Sequence, residues 1–238
     1  MTRVVDPLDD TAIRAVAILG DDVRRRLFGF TRAARRPVSR DEAAAAVGIS
    51  RKLAAFHLDK LVEAGLLHAR FHGTGGPRVG RRPKVYEPAD TGIEISIPVR
   101  RYELLADILT QAVLRENEQQ SALAAAADGA HQRGFAAGAS LRDRIRPGRL
   151  GAERALTLAE DILGRCGFEP DRIGADCVRL RNCPFHPIAE SAPELVCELN
   201  HAFTRGLVEG LQARTVEAVL APSAGECCVE LRATAITQ

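Results

Sequence analysis

Two capped helices separated by a single glycine constrain this chain more than any other stretch. Ser39 and Glu42 stand at the spacing of a reciprocal capping box and predict a helix from Arg40. Gly48 stops that helix after Val47. Ser50 caps the next one, 51–64, and Gly65 stands where a glycine past the helix end is expected. Ala54, Leu58, Leu61 and Val62 give the second helix one apolar stripe, while Arg51, Lys52, Ala55, Phe56, Asp59 and Lys60 fall on the opposite face. A short helix, a tight turn and a second helix make a helix-turn-helix. Upstream, 11–35 reads as helical with a break near Gly20, capped by Asp21 or Asp22. Downstream, Leu66–Phe71 and Lys84–Glu87 read as strands flanking the glycine-rich loop 73–80. A helix-turn-helix followed by a hairpin with a basic tip is a winged helix.

That arrangement points to double-stranded DNA as partner. A recognition helix enters the major groove by its N-terminus, so Ser50, Arg51, Lys52 and Ala55 are expected to meet bases and phosphates, with Phe56 and Lys60 one turn on. The wing offers Arg78, Arg81, Arg82 and Lys84, suited to the backbone or the minor groove. His57, beside the apolar stripe, reads as a partly buried histidine bonded to backbone or phosphate rather than as a metal ligand.

Charge is distributed to match. Residues 1–90 carry 17 Lys and Arg against 11 Asp and Glu, whereas 151–238 carry 8 against 13. The basic front half suits a polyanion, and the acidic back half suggests a different task. With 238 residues, 46% hydrophobic, a disordered chain and a disulfide-knotted mini-protein are excluded. No run of 18 apolar residues occurs, and the first ten residues lack an apolar core, so neither a membrane span nor a secretory signal is expected. The expected compartment is the cytoplasm, where six cysteines are read as thiols, metal ligands or redox centres rather than disulfides.

The expected fold class is α+β in three parts. Residues 1–90 form the winged helix-turn-helix, 91–150 a helical dimerisation segment and hinge, and 151–238 a small α+β metal-binding domain. One long helix is predicted from Val99 to about Leu141, with Leu105, Ile108, Leu109, Ala112 and Val113 on one face. Its stripe finds a natural partner in the same helix of a second subunit, hence a homodimer on a palindromic operator; packing on its own chain is the alternative. The stretch 142–151 reads as a basic hinge. Beyond it come a helix Ala152–Arg165, strands at 176–182, 216–220 and 228–234, and a helix from Pro193 to Leu211 capped by Ser191 and Glu194.

The remaining chemistry lies in the cysteines. Cys166 falls on an apolar helix face and reads as core, and Cys177 lies mid-strand. Cys183 ends a strand before Pro184, and Cys197 sits in the first turns of a helix, whose dipole favours thiolate. Cys227 and Cys228 open a strand, where alternation lets only one face a shared site. Thiolates from these places suit an iron–sulfur cluster. Cys183-x2-His186 and Cys197-x3-His201 equally suit zinc. Thiols acting as a redox switch without metal, or a small-molecule effector, remain further options. There is no C-x-x-C, G-x-S-x-G, P-loop or H-E-x-x-H, so an enzyme is not expected.

The stretch 19–67, from LGDDVRRR to VEAGLL, followed by GRRPKVYEP, resembles the winged-helix regulators of the ArsR-like group. RNCPFHPIAESAPELVCELN with a Cys-rich strand near the C-terminus is most similar to the branch containing the iron–sulfur-assembly repressor SufR. The resemblance implies a transcriptional regulator, a repressor in that branch. It also implies Cys183, Cys197 and Cys228 (or Cys227) as ligands of an iron–sulfur cluster of the 4Fe-4S type. Zinc bound by cysteine and histidine stays open beside it.

Overall fold

The computed structural model describes residues 10–71, 83–90, 92–223 and 225–234. The described residues divide into two compact units, 10–95 and 96–234.

The first unit opens with α1 (Asp10–Ile18) and α2 (Asp22–Ala34). Asp21 caps α2 by accepting from the Arg24 backbone N–H at 2.9 Å. A two-residue strand β1 (Val38–Ser39) leads into α3 (Arg40–Val47), and the capping box closes in both directions: Ser39 Oγ accepts from Glu42 N–H, and Glu42 accepts from Ser39 N–H. Gly48 ends α3 at φ 75°, a left-handed backbone that a side chain would strain. Then come α4 (Arg51–Glu63), β2 (Leu67–Phe71) and β3 (Lys84–Pro88), with strand order β1-β3-β2, antiparallel throughout. Leu27, Ala43, Leu58, Leu61, Leu67 and Tyr86 form the core. The helix-turn-helix and hairpin therefore stand as expected, and β1 is an addition too short to carry a periodic pattern.

The second unit departs further from expectation. The single helix anticipated from Val99 is two helices, α5 (Tyr102–Arg115) and α6 (Ala122–Ile145). Between them the Asn117 side chain accepts from the N–H groups of Gln119 and Gln120, and Ser121 caps α6. These local side-chain bonds outcompete helix continuation. Next come α7 (Ala152–Arg165), β4 (Pro170–Arg172), β5 (Cys177–Leu180), the one-turn α8 (Ile188–Ser191), α9 (Pro193–Gly210), β6 (Val216–Leu220) and β7 (Val229–Ala233). The four strands form one antiparallel sheet in the order β4-β5-β7-β6. Val178, Leu180, Leu231 and Val229 alternate toward the helices. Ser191 does not cap α9 as expected: its hydroxyl bonds the Ile188 carbonyl, and Ala192 is the cap residue.

Leu105, Ile108 and Ala112 of α5 bury on this chain's own core, while Val113, expected in the same stripe, is exposed. The seam between α6 and α9 is made of glycine. A Cβ at Gly134 would lie 1.9 Å from the Phe203 carbonyl oxygen, and one at Gly206 would lie 2.1 Å from that of His131. Gly138 and Gly210 repeat the relation one turn on. Two G-x-x-x-G stretches thus bring backbone against backbone. The expected hinge 142–151 is also tied into this unit: Arg142 donates to the carbonyls of Leu211 and Gly148, both at 2.8 Å.

Candidate nucleic-acid interface and thiol site

Helix α4 buries Ala54, His57, Leu58 and Leu61 and leaves its N-terminal face outward. Ser50 caps the helix by accepting from Leu53 N–H at 3.2 Å. Arg51 and Lys52 are exposed, as is Phe56 at 54%. Leu53, 41% exposed, joins this face; sequence reasoning passed over it although it stands three residues before Phe56. Ala55 and Lys60 are half-buried, and Arg51 and Lys60 lean on Asp41 and Glu63. Lys84 pairs with Asp59 at 2.5 Å and lies 5.3 Å from the Tyr86 ring centre. Arg78, Arg81 and Arg82 lie outside the described residues. His57 is 8% exposed and packs edge-on against Phe56, and its Nδ1 has no hydrogen-bond partner within the protein.

The second site is built from three separated segments of the other unit. Cys183 lies in the loop after β5. Cys197 is in the second turn of α9. Cys227 and Cys228 lie in the bend before β7, where Cys227 N–H bonds the Leu180 carbonyl and the Cys228 carbonyl accepts from Ala221 N–H. Because these two cysteines precede the strand, alternation does not separate them, and both thiols join the group. The four titrate as one coupled group, in which Cys227 acts on Cys183 and Cys228, and Cys228 on Cys197.

Protons are unevenly held along this row. The Cys227 thiol, backbone N–H groups and the Asn200 amide hold Cys183 down to about 6, against the pull of burial. Cys228, accepting from Cys227 and Cys197, comes down to about 7. Cys227, whose one proton Cys183 and Cys228 compete for, is pushed up by both neighbours and by burial. Burial first, then the bond to Cys228, pushes Cys197 up to about 12. Burial thus opposes the thiolate that a helix start favours at Cys197. Outside the row, burial pushes the Cys166 thiol up to about 11, in keeping with a core residue. Cys177 faces Glu230 at 3.8 Å.

Asn200, one turn after Cys197, is fully buried and was not singled out by sequence. Its Nδ2 lies 3.5 Å from Cys183 Sγ and 3.7 Å from Cys227 Sγ, while its Oδ1 has no partner. An unsatisfied buried amide oxygen costs about 1–3 kcal/mol, so apolar packing alone would favour a leucine here. The histidines go elsewhere. His201 Nε2 lies 3.1 Å from the Ala218 carbonyl, and His186 faces Glu190 at 3.8 Å. The sulfur donors and the amide N–H groups directed at them suit a thiolate-bound metal or cluster in chemical type. Among the described residues, no three His, Cys, Asp or Glu side chains are already disposed to hold a metal ion. The donors are right in kind for such a group.

The loop bearing Cys183 is held from one side by the start of α5. Arg100 Nη1 donates to the Cys183 carbonyl at 3.1 Å and to Asn182 Oδ1. Arg101 N–H bonds the Pro184 carbonyl at 2.9 Å, and Tyr102 Oη donates to the His186 carbonyl at 2.6 Å. Asn182 Nδ2 returns bonds to the carbonyls of Val99 and Gly167.

The stretch 19–70 matches the family described as "Helix-turn-helix domain". That match spans α2 to β2 and supports a DNA-binding transcriptional regulator of the winged-helix type. No curated protein matches the chain. No helix among the described residues is long and apolar enough to cross a membrane.

Proposed function

We propose that this regulator, of the SufR-like branch, is a repressor whose thiol row holds an iron–sulfur cluster and whose DNA affinity depends on that loading. The observation that carries the reading is the coupling of four thiols from three chain segments, two of them bonded by one buried amide, with other cysteines left outside. Cys183, Cys197, Cys227 and Cys228 would hold the group. A bound cluster would supply electron exchange and sensitivity to oxidants.

The chain's own residues supply the rest. Cys183 and Cys228 are the sulfurs most readily deprotonated, while Cys197 and Cys227 give up protons on ligation. Asn200 keeps an N–H on two of the sulfurs. In the other unit, Arg51 and Lys52 meet phosphate or guanine, and Leu53 and Phe56 offer apolar contact to thymine methyl groups. Arg78, Arg81, Arg82 and Lys84 are read as wing contacts to the backbone. Two copies would present two α4 helices to a palindrome with half-sites about 34 Å apart.

Anaerobic loading of the full chain with ferrous iron and sulfide tests the reading. Visible thiolate-to-iron absorption is expected, lost in Cys183→Ser and Cys197→Ser and retained in Cys166→Ser and Cys177→Ser. A colourless product with stoichiometric zinc would overturn it.

A further inference from the structure

Ile95 is the last residue of the winged-helix unit, and the chain reaches α5 through only six residues. The last three of them, with Tyr102, are bonded to the loop 182–186 that carries Cys183. One guanidinium, that of Arg100, takes two acceptors there, one of them the carbonyl of Cys183 itself. Arg100 is half-buried, and its partner Asn182 is buried and bonded back to Val99 and Gly167. The connector is therefore fixed to the backbone of a thiol-bearing residue by side-chain and main-chain bonds together.

We propose that Arg100 is the positioning residue that couples the thiol site to DNA binding: it fixes the connector to the Cys183 loop, so that ligation at the thiols changes how the connector leaves the second unit. This rests on the reading of the thiol row as a ligand site. Ligation at these thiols would tie the Cys183 loop to α9 and to the bend before β7, and so bears on where that loop sits. Cys183 is the sulfur whose own carbonyl Arg100 holds, and Cys197 and Cys227 are held by α9 and by Leu180. A shift of the Cys183 loop then moves the Arg100 acceptors, and the connector follows or is released. The two sites need a shared element whose arrangement both can bias, and the lattice 99–102 against 182–186 is that element.

The test uses the full chain, with and without anaerobic loading by ferrous iron and sulfide, and a duplex selected from random DNA by the same chain. Couplings of this kind are typically about 5- to 150-fold in affinity. The parent is expected to develop the absorption band and to change its affinity for the duplex within that range on loading. Arg100→Ala is expected to develop the same band while its affinity changes less than about twofold, outside that typical range. Hydrogen exchange at the Arg101 N–H should then be fast in both states. A variant with an unchanged band and a parental change in affinity overturns the coupling. A parent with no band overturns instead the ligand reading on which it rests. Should Arg100→Ala not fold, Arg100→Lys carries the same test, because an ammonium keeps the charge but not the planar fork; a parental response there also overturns the proposal.

Discussion

Asn200 Nδ2 approaches the sulfurs of Cys183 and Cys227 at 3.5 and 3.7 Å from a fully buried position. The amide reaches both sulfurs, and of the two Cys183 is the one whose thiol is held low, by Cys227 first and by the amide in support. In the metal-free chain, alkylation of Cys183 should rise through about pH 6, where its thiolate forms. Below that value the thiol is protonated and unreactive. Cys227→Ala removes the largest stabilising bond and should move the midpoint up furthest, and Asn200→Leu should move it up less. Mass-spectrometric alkylation profiles against pH decide it, and an unmoved midpoint in Cys227→Ala would contradict the assignment.

The glycine seam between α6 and α9 makes a sharp stability contrast. At Gly134 and Gly206 a methyl group would meet backbone at 1.9 and 2.1 Å, and backbone cannot swing aside. Gly134→Ala and Gly206→Ala should each cost about 3 kcal/mol or more, at the top of the range for overpacking. Gly129, on the same helix, faces only the end of the Arg133 side chain at 3.4 Å. Gly129→Ala should be neutral or stabilising by up to about 1 kcal/mol, through helix propensity. Urea melts of the three variants check the ranking.

These contrasts mark what sequence could reveal. The capping box at Ser39 and Glu42, the stop at Gly48 and the cap at Ser50 are codes satisfied within four residues, so α3 and α4 are legible without knowing their partners. Gly134, Gly138, Gly206 and Gly210 gain meaning only when α6 meets α9, and read along the chain they merely weaken two helices. The expectation of a second subunit rested instead on the stripe from Leu105 to Val113, which lies on α5. The break at Asn117 depends on side-chain bonds that hydrophobic spacing does not register. Cys183, Cys197 and Cys228 were legible through motif and resemblance, whereas the joint presence of Cys227 follows from a bend preceding β7. Asn200 and Arg100 act through partners distant in sequence, 17 and about 80 residues away, and no local pattern exposes them.

The capping box carries its own pH dependence. The Arg36 guanidinium, then the Ser39 backbone N–H, hold the Glu42 carboxyl down to about 2 from its ordinary 4.5. A depressed folded-state value stabilises the fold above the unfolded-state value, and that stabilisation is lost as pH falls from about 4.5 toward 2. Glu42 is 41% exposed on its side chain, so solvent screening trims the effect. Ser39→Ala should cost about 1 kcal/mol at neutral pH, as helix caps do. Glu42→Gln should flatten the acid limb of the parent's melting-temperature profile below pH 4.5, and an identical limb in parent and variant would count against the assigned carboxylate.

At the DNA face, pairing within the protein decides which cation matters most. Among the described residues Lys52 makes no ion pair, whereas Lys84 already spends its charge on Asp59 at 2.5 Å. A cation that neutralises a phosphate releases counterions, so its removal should flatten the dependence of affinity on salt by about one unit of logarithmic slope. Lys52→Ala is therefore expected to lower the slope by about one and to weaken selected and random duplexes alike. Lys84→Ala should lower it by less, because binding by Lys84 must first compete with Asp59. Phe56→Ala, which removes an exposed ring and no charge, should leave the slope unchanged and weaken the selected duplex more than a random one. Affinity measured across a salt series separates the three, and a parental slope in Lys52→Ala would remove α4 from the phosphate-contacting surface.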